Sequence, residues 1–246
     1  MAKTKIDWAD YSCNCFWGCR FGCSYCQARN MARRFGRRIG AARGYSAETI
    51  DKMITFEPVF LADQLTWLRT IRQPSRIFMS FMGEPFSPEF DQYLPIAFRT
   101  MEAFSEHTFL MLTKQPHRLP KWSPFPSNCG IGVSTIGNDS RSGLEDIFAP
   151  IQARLKVVSI EPLLDYSPMD FRWVDWVIVG QQTPVRKSTM PRKEWVEDIA
   201  KRADHDGAAL FLKNNLRSLF GDDDYQHFPW AITPDSKLRQ EFPTVK

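Results

Sequence analysis

The sequence contains neither a predicted membrane span nor a recognisable secretion signal. No apolar run reaches the length of a transmembrane helix, and the amino-terminal segment MAKTKIDWADYS is charged and lacks the apolar centre of a signal peptide. Internal repeats, heptads and Gly/Ser linkers are also missing. We therefore expect a cytoplasmic protein with no membrane partner, folded as one α/β domain over residues 1–246.

Histidine is scarce, which limits the metal sites that the chain could build. None of the four histidines (His107, His117, His205 and His227) lies in a His-x3-His pair, and all fall outside the predicted site. Five of the six cysteines lie between Cys13 and Cys26, a crowding that indicates metal binding rather than disulfides in a chain without a signal peptide. We assign the sixth, Cys129, to structure.

Within that crowded stretch, Cys19, Cys23 and Cys26 follow a Cys-x3-Cys-x2-Cys pattern. Thiolates select soft metals and iron-sulfur clusters, and a [4Fe-4S] cube normally takes four of them. Three ligands would leave one iron open to a substrate or cofactor. A zinc knuckle or simply buried thiols are the alternatives. Cys13 and Cys15 are interpreted as packing residues.

Short apolar runs alternate with helix-like stretches, a rhythm typical of βαβ units with a parallel sheet. The pattern allows an open doubly wound sheet or a partial (β/α) barrel of six or seven mainly parallel strands, and the barrel is our prediction. The predicted strands are 5–9, 76–81, 108–112, 131–135, 156–160, 176–180 and 209–212.

Helices are predicted between these strands. Their predicted ranges are 25–39, 58–72, 88–104, 143–149 and 191–204. The segment from about residue 27 to 73 is long for one crossover, so we expect a helical, arginine-rich insertion there with a loop near 40–46.

Most predicted strands run directly into polar residues. In barrels and open α/β sheets, ligands bind at the carboxyl ends of the strands, so these side chains are expected to meet at one mouth. They are Glu84, Thr113, Lys114, Ser134, Thr135, Glu161, Gln181, Gln182, Lys213, Asn214 and Asn215. Polar loops and turn formers would have the same composition.

The cysteine spacing, with the aromatic Tyr25 directly before the last cysteine, resembles the radical S-adenosylmethionine superfamily. The resemblance implies that Cys19, Cys23 and Cys26 hold three irons of a [4Fe-4S] cluster and that S-adenosylmethionine chelates the fourth. It further implies reductive cleavage of this cofactor to a 5'-deoxyadenosyl radical, with electrons from a flavodoxin- or ferredoxin-like donor. Tyr25 would pack beside the adenine.

The segment Gly83-Glu84-Pro85 is a second point of resemblance, because the superfamily carries a Gly-Gly-Glu-Pro-like segment after its second strand. Met82 stands where the first glycine is usual. Glycine lets a backbone approach closely, and Glu84 would accept hydrogen bonds from the cofactor's ammonium group. Ser134 and Thr135 are then candidates for the ribose hydroxyls or the methionyl carboxylate. Gln181 is a candidate for the far side of the adenosine.

Most of the chain resembles a phage-associated, radical-SAM-like family of unknown function. The matching blocks occur in the same order and are IDW (6–8), the cysteine loop, GVST (132–135), SIEPLL (159–164), DWVIVG (175–180) and FLK (211–213). This resemblance implies the cofactor and no particular substrate.

Three strand-end residues are candidates for catalysis. Glu161 precedes a proline, which disfavours helical backbone and holds the carboxylate in the mouth, where it could orient substrate, accept a proton or bind cofactor. Lys114 and Lys213 could pair with carboxylates there or contact a phosphate-bearing substrate.

The run Arg29–Gly44 contains six arginines and no acidic residue. Such a run is typical of a nucleic-acid contact or of a solvated helix face. Trp8, Trp17 and Phe35 could stack on a base or belong to the core.

The first functional hypothesis is a radical S-adenosylmethionine enzyme that modifies or repairs an unknown substrate, for which DNA or RNA is one candidate. The alternative is a non-enzymatic zinc or iron-sulfur module that binds nucleic acid. A third is a phosphate-binding barrel whose cysteines are incidental.

Overall fold

The computed structural model describes residues 3–138, 143–220 and 226–244. Its centre is a seven-stranded, entirely parallel sheet that curls into a half-barrel. A separate antiparallel pair, β2 and β3, lies beside it. The strands are β1 (Tyr11–Cys13), β2 (Phe16–Trp17), β3 (Val59–Phe60), β4 (Arg76–Met79), β5 (Thr108–Thr113), β6 (Cys129–Thr135), β7 (Leu155–Ile160), β8 (Trp176–Val179) and β9 (Ala209–Leu212).

The order of strands in the large sheet is β1-β4-β5-β6-β7-β8-β9, which is their order along the chain. Each crossover therefore adds its strand on the same side of the preceding one. A doubly wound sheet would instead reverse direction at a switch point. The predicted partial (β/α) barrel is confirmed.

The first predicted strand is wrong. Residues 5–9 form a turn, closed by a hydrogen bond from Ala9 N to Ile6 O (3.1 Å), and the strand begins two residues later at Tyr11. Trp8 instead packs across the end of the sheet, with its ring centroid 4.7 Å from that of Phe78. A single tryptophan in a short apolar stretch does not show whether it lies within a strand or in a turn that packs against the sheet.

Strand β4 is shorter than the predicted 76–81. Ser80 has a left-handed φ of 69°, which ends the strand after Met79 and turns the chain toward Gly83. The other predicted strands are confirmed to within two residues at either end.

The two faces of the sheet carry different side chains. The concave face is filled by a cluster that includes Phe78, Leu110, Ile178 and Phe211, all buried. Gly132 of β6 also faces inward, where an added Cβ would overlap the side chain of Leu112. The convex face is covered by helices and forms the larger core.

Helices cover the crossovers between strands. They are α1 (Gln27–Ala42), α2 (Ala47–Thr55), α3 (Asp63–Thr66), α4 (Leu94–Ala103), α5 (Leu144–Phe148), α6 (Lys193–Asp206) and α7 (Arg217–Phe220). Five 3₁₀ segments occur at Trp67–Thr70, Pro88–Phe90, Pro116–Trp122, Lys187–Thr189 and Asn214–Leu216. In the described part of the chain, no helix is both long and apolar enough to span a membrane.

The insertion at 27–73 differs from its prediction in one helix. Residues 58–72 contain β3, α3 and a 3₁₀ turn rather than one helix, because Val59 and Phe60 pair with β2. The second helix of the insertion is instead α2, which begins at Ala47, before the predicted start at residue 58. Its N-cap is Ser46, whose Oγ accepts a hydrogen bond from Thr49 N (3.2 Å). That cap lies inside the predicted loop at 40–46, which is helical up to Ala42.

Helices α1 and α2 pack closely through small residues. Ala32, Gly36 and Gly40 recur every four residues along α1 and are buried against α2. A Cβ at Gly40 would lie 2.6 Å from Ile50 Cγ1. This contact fixes the rotation of α1, and with it the direction in which its arginines project.

Candidate active site

A cavity of about 880 Å³ lies at the carboxyl edge of the sheet. Its walls include Cys19, Cys23 and Cys26 of the loop between β2 and α1. Residues at the carboxyl ends of all seven strands of the large sheet also line it, namely Asn14, Glu84, Lys114, Ser134, Glu161, Gln181 and Lys213. The predicted gathering of strand ends and cysteines at one mouth is therefore present.

The cysteine loop begins at a glycine that no other residue could replace without strain. Gly18 has φ +95°, and a Cβ there would overlap the carbonyl of Glu57. Immediately after it, Cys19 N donates to Phe56 O (3.1 Å). The loop is thus attached to the insertion before it reaches the cavity.

Backbone N–H groups already point at two of the three sulfurs. Phe21 N lies 3.4 Å from Cys19 Sγ, and Arg29 N lies 3.3 Å from Cys26 Sγ, which caps the first turn of α1. Arg29 also donates from Nη2 to Cys19 O (2.8 Å), which connects the two ends of the loop. N–H···S bonds of this kind stabilise thiolates and tune iron-sulfur clusters.

Burial raises the pKa of Cys19 to about 11, although the hydrogen bond from Phe21 N acts in the opposite direction, and the nearby Glu84 adds to the increase. The Cys19 thiol is therefore protonated at neutral pH in the metal-free chain. A bound cation reverses this preference, because a coordinating thiol loses its proton.

Within the ranges given above, no three His, Cys, Asp or Glu side chains converge closely enough to hold a single metal ion. Thiolates that bind a cube attach to different irons and need not converge on one point. The donor set of three half-buried thiols, with N–H groups on two of them, fits such a cluster.

The two segments that suggested the superfamily resemblance are hydrogen-bonded to each other. Gly18 N donates to Met82 O (2.8 Å), and Glu84 N donates to Gly18 O (3.2 Å). A Cβ at Gly83 would overlap the carbonyl oxygen of Phe16. Gly83 thus allows the approach of the chain's own backbone at Phe16 and Gly18. It also lines the cavity, so its predicted contact with the cofactor stays a prediction.

The carboxylate of Glu84 is buried and braces the same region. It accepts hydrogen bonds from Phe86 N (3.2 Å), Thr113 Oγ1 (2.6 Å) and Lys114 N (2.9 Å). Burial raises the pKa of Glu84, although these hydrogen bonds act in the opposite direction. Three of its roughly four acceptor positions are occupied, which leaves one for a ligand. Pro85 is buried outside the cavity lining.

Ser134 and Thr135 face opposite sides of β6, as successive strand residues do. Ser134 lines the cavity, where Lys114 Nζ lies 3.1 Å from its Oγ. Thr135 is fully buried, and its hydroxyl donates to Gly137 O (3.2 Å) and accepts from Gly137 N (3.3 Å). The structure therefore does not bring Thr135 to the cavity lining, and its contact with a ligand stays a prediction.

Lys114 connects the strand ends to the cysteine loop. Its ammonium group lies 5.5 Å from the centre of the Tyr25 ring, within the range of a cation–π contact. Tyr25 itself lines the cavity beside Cys23 and Cys26. A positive charge, a hydroxyl and an aromatic face therefore meet next to the cysteines.

Glu161 and Lys213 form an ion pair inside the cavity. They follow β7 and β9, and Gly180, which follows β8 between them, leaves the room for the pair. A Cβ at Gly180 would lie 2.9 Å from Lys213 Cδ and 3.2 Å from Glu161 Cδ. The predicted pairing of a strand-end lysine with a carboxylate is confirmed for Lys213.

Gln181 lies at the cavity wall with its side chain largely engaged by the chain itself. Its Nε2 donates to Asn215 O and to Ser218 Oγ (2.9 Å), and Asn215 Nδ2 donates back to Gln181 O (2.8 Å). This amide pair joins the residues after β8 to those after β9.

Sequence reasoning missed the wall that the insertion contributes. Met31, Phe35 and Ile39 of α1 line the cavity together with Tyr45 and Gln64. The spacing of four residues between the first three was a signal for one helix face. Nothing in the sequence connected Tyr45 or Gln64 to the strand ends.

The remaining cysteines and the histidines lie elsewhere. Cys13 and Cys15 are fully buried in the core, as is Cys129 at the amino end of β6. No histidine is among the described residues that line the cavity. These positions agree with the predicted placement of the histidines outside the mouth and of the three cysteines away from it.

Fold and site together define a parallel half-barrel with a cysteine-lined cavity at its carboxyl edge. The model of one protein family, described as a protein of unknown function (DUF5131), matches residues 3–218. The chain belongs to this family. No curated protein and no solved structure matches it.

Proposed function

We propose that this protein is a radical S-adenosylmethionine enzyme. Cys19, Cys23 and Cys26 would hold a [4Fe-4S] cluster, and the adjoining cavity would bind S-adenosylmethionine. The observation that carries the proposal is that the three cysteines share one cavity with the polar ends of the sheet. Once bound, the cluster would supply the electron that cleaves S-adenosylmethionine to a 5'-deoxyadenosyl radical.

The loop residues would hold and tune the cluster. The N–H groups of Phe21 and Arg29 donate to Cys19 and Cys26 and would stabilise their thiolate forms. The exposed tip of the loop, at Arg20 and Phe21, is open to a flavodoxin- or ferredoxin-like electron donor. Such chemistry suits the cytoplasm, where thiols stay reduced.

The residues beside the loop would bind S-adenosylmethionine. The Lys114 ammonium group and Ser134 hydroxyl are suited to a carboxylate, and the free acceptor position of Glu84 to an ammonium group. Tyr25 offers an aromatic face for the adenine, with Gln181 on the other side of the cavity.

The rest of the cavity would hold the substrate. Its volume of about 880 Å³ is near the upper end of typical ligand pockets, which run to about 1,000 Å³. Trp17, Phe56 and Phe81 form an apolar wall that would exclude water from a radical. The Glu161–Lys213 pair would orient the substrate or exchange a proton with it.

Anaerobic reconstitution with iron and sulfide tests the proposal. We expect bound iron and sulfide, charge-transfer absorption of a cluster, and 5'-deoxyadenosine when reductant and S-adenosylmethionine are added. Cys19→Ala, Cys23→Ala and Cys26→Ala should each reduce iron content and 5'-deoxyadenosine to background. The matched control Cys129→Ala, at the opposite edge of the sheet, should retain both.

Two results would contradict the proposal. A stoichiometric zinc ion with no cluster and no 5'-deoxyadenosine would favour the non-enzymatic metal module. Unchanged ligand binding after replacement of all three loop cysteines would favour a barrel in which the cysteines are incidental.

A further inference from the structure

The outer face of α1 carries an unneutralised group of positive charges. Arg33, Arg34, Arg37 and Arg38 are all exposed, and none forms an ion pair with an acidic side chain in the described ranges. The whole chain has a net charge of +4, and the run 29–44 alone contributes six positive charges, so the remainder is net −2. The positive charge of the protein is therefore concentrated on this helix. We call Arg33, Arg34, Arg37 and Arg38 the arginine face.

Two members of the arginine face, Arg34 and Arg38, lie beside the cavity wall. Phe35 lines the cavity, and the guanidinium carbons of Arg34 and Arg38 lie 5.0 Å and 5.5 Å from the centre of its ring. The opposite side of α1 is buried against α2 through Gly36 and its neighbours. The helix cannot rotate without losing that packing, so Arg34 and Arg38 stay beside the cavity wall. Arg33 and Arg37 lie roughly 160° from Phe35 around the helix and continue the row of charges away from the cavity.

Aromatic rings lie against arginines at two points of this region. Phe35 lies between Arg34 and Arg38, and Arg43, the residue after α1, stacks 4.9 Å from the ring centre of the exposed Trp67. Arginine and aromatic planes side by side are what unstacked bases and the phosphates between them contact.

We propose that the arginine face binds the backbone of a nucleic-acid strand and holds it across the mouth of the cavity. From Arg33 to Arg38 the charges extend over roughly 7.5 Å of helix axis, at about 1.5 Å per residue. A row of charges suits a polyanion, whereas one isolated phosphate would engage only one or two of the four arginines.

This inference deepens the proposed function by naming nucleic acid as its substrate class, and it rests on that function only in assigning a base of the bound strand to the cavity. A base reaches a cavity of this kind only when it leaves its stack, so a single strand is the favoured form. Binding itself requires neither cluster nor cofactor and can be measured on the metal-free chain.

The test is fluorescence anisotropy with a labelled single-stranded DNA of about 20 nucleotides, titrated at several salt concentrations. Four phosphate contacts on a single strand predict a log–log salt slope of about −3 from this face alone, or about a 50-fold loss of affinity between roughly 50 and 200 mM salt. The variant Arg33→Gln/Arg34→Gln/Arg37→Gln/Arg38→Gln should lose most of that slope and bind at least tenfold more weakly at the lower salt.

A charge-matched variant controls for the loss of net charge. Arg69, Arg72, Arg99 and Arg154 are exposed and lie outside α1, and their combined replacement by Gln should change the slope by less than about 1 unit. Equal weakening by both variants overturns the proposal, because net charge alone would then explain binding. If the first variant fails to fold by circular dichroism, Arg34→Gln/Arg38→Gln should remove about half the slope.

Four further results decide between the possibilities. A wild-type salt slope near zero overturns the inference whatever the variants do, and so does displacement of the DNA by an equal charge of polyglutamate. Binding through the arginine face without any 5'-deoxyadenosine from the reconstituted enzyme supports this inference and removes the proposed function. Production of 5'-deoxyadenosine by a chain that binds no nucleic acid supports the proposed function and overturns this inference.

Discussion

The amino and carboxyl edges of the sheet contain the same kinds of residue, but these residues have different surroundings at the two edges. At the amino edge, Asp10 accepts from Arg76 N (2.8 Å) and forms an ion pair with the Arg76 side chain, which connects the starts of β1 and β4. At the carboxyl edge, Glu161 and Lys213 also form an ion pair, but both line the cavity. The first pair closes a strand junction, and the second faces a space that can hold a ligand.

The cysteines show the same contrast. Cys129 is fully buried where β6 starts, and its surroundings raise the pKa of its thiol far above the usual value by burial alone. Cys19, Cys23 and Cys26 are half-buried and line the cavity. Residue type is therefore a poor guide to function here, and the edge on which a residue lies is a better one, as in barrel enzymes generally.

Gly83→Ala should have the largest effect on the carboxyl edge. The new Cβ would overlap the Phe16 carbonyl and push the cysteine loop away from the Gly83–Glu84 segment. We expect a loss of up to about 3 kcal/mol in the free energy of unfolding, and reduced iron content after reconstitution. Denaturant unfolding and iron analysis measure the two effects.

Gly207→Ala is the matched control for Gly83→Ala. Gly207 ends α6 with φ +79°, and no atom lies within 4 Å of the place that an alanine Cβ would take, so the substitution adds only backbone strain of about 1–2 kcal/mol. Its iron content should equal that of the wild type. Equal iron loss in both variants would show that general destabilisation, not loop displacement, is responsible.

Replacing the acidic residue of each ion pair in turn tests whether the two edges of the sheet differ in function. Asp10→Ala removes three hydrogen bonds to Arg76 and should lower the free energy of unfolding by about 1–2 kcal/mol without altering S-adenosylmethionine cleavage. Glu161→Gln keeps a hydrogen-bond acceptor for Lys213 but removes the opposite charge from a mostly buried ammonium group, so it should lower the free energy of unfolding by about 1–3 kcal/mol. It should slow turnover at least tenfold.

Both variants need both measurements, namely denaturant unfolding and the rate of 5'-deoxyadenosine release. If Glu161→Gln turns over at the wild-type rate, the pair is structural and the contrast between the edges fails for these residues. A lower rate in Asp10→Ala would extend the functional region to the amino edge.

The smallest expected effect is a pH dependence at the amino edge. Partial burial alone would raise the pKa of Asp10, but the hydrogen bonds and charge of Arg76 outweigh it and hold the pKa below the ordinary 3.8. The folded state therefore binds fewer protons than the unfolded state in this range. The stabilisation is fully present above 3.8 and is lost as pH falls through the lower, folded value.

Asp10→Asn cannot titrate, so its stability should depend less steeply on pH than that of the wild type below about pH 4. Urea unfolding at a series of acidic pH values measures the difference in the free energy of unfolding between the two chains. The other carboxylates are the same in both chains, so their contributions cancel in this difference. Parallel curves for the two chains would mean that Asp10 has no depressed pKa in the folded state.

Local patterns identified most of the sheet and the polar residues at its carboxyl edge. Six of the seven predicted strands are correct because buried parallel strands read as continuous apolar runs whatever their neighbours are. The strand-end position of Glu161 and Lys213 followed from the same runs. The strand at Tyr11 was missed because three residues at the edge of a sheet leave no such run.

Contacts between distant segments were beyond sequence reasoning. Thr135 and Ser134 have similar hydroxyls, and only the register of β6 decides that Ser134 faces the cavity. The need for glycine at position 83 depends on the Phe16 carbonyl, which is 67 residues away along the chain. Likewise, α1 became part of the cavity wall through its packing on α2.

The sequence by itself determined the parallel α/β class, the three clustered cysteines and the charge of the arginine run, because composition and periodicity are properties of neighbouring residues. Only the tertiary structure decided that the cysteines share a cavity with the seven strand ends and that Arg34 and Arg38 lie beside its wall. Those relations arise from backbone contacts and helix packing between segments far apart in the chain, which no local pattern encodes.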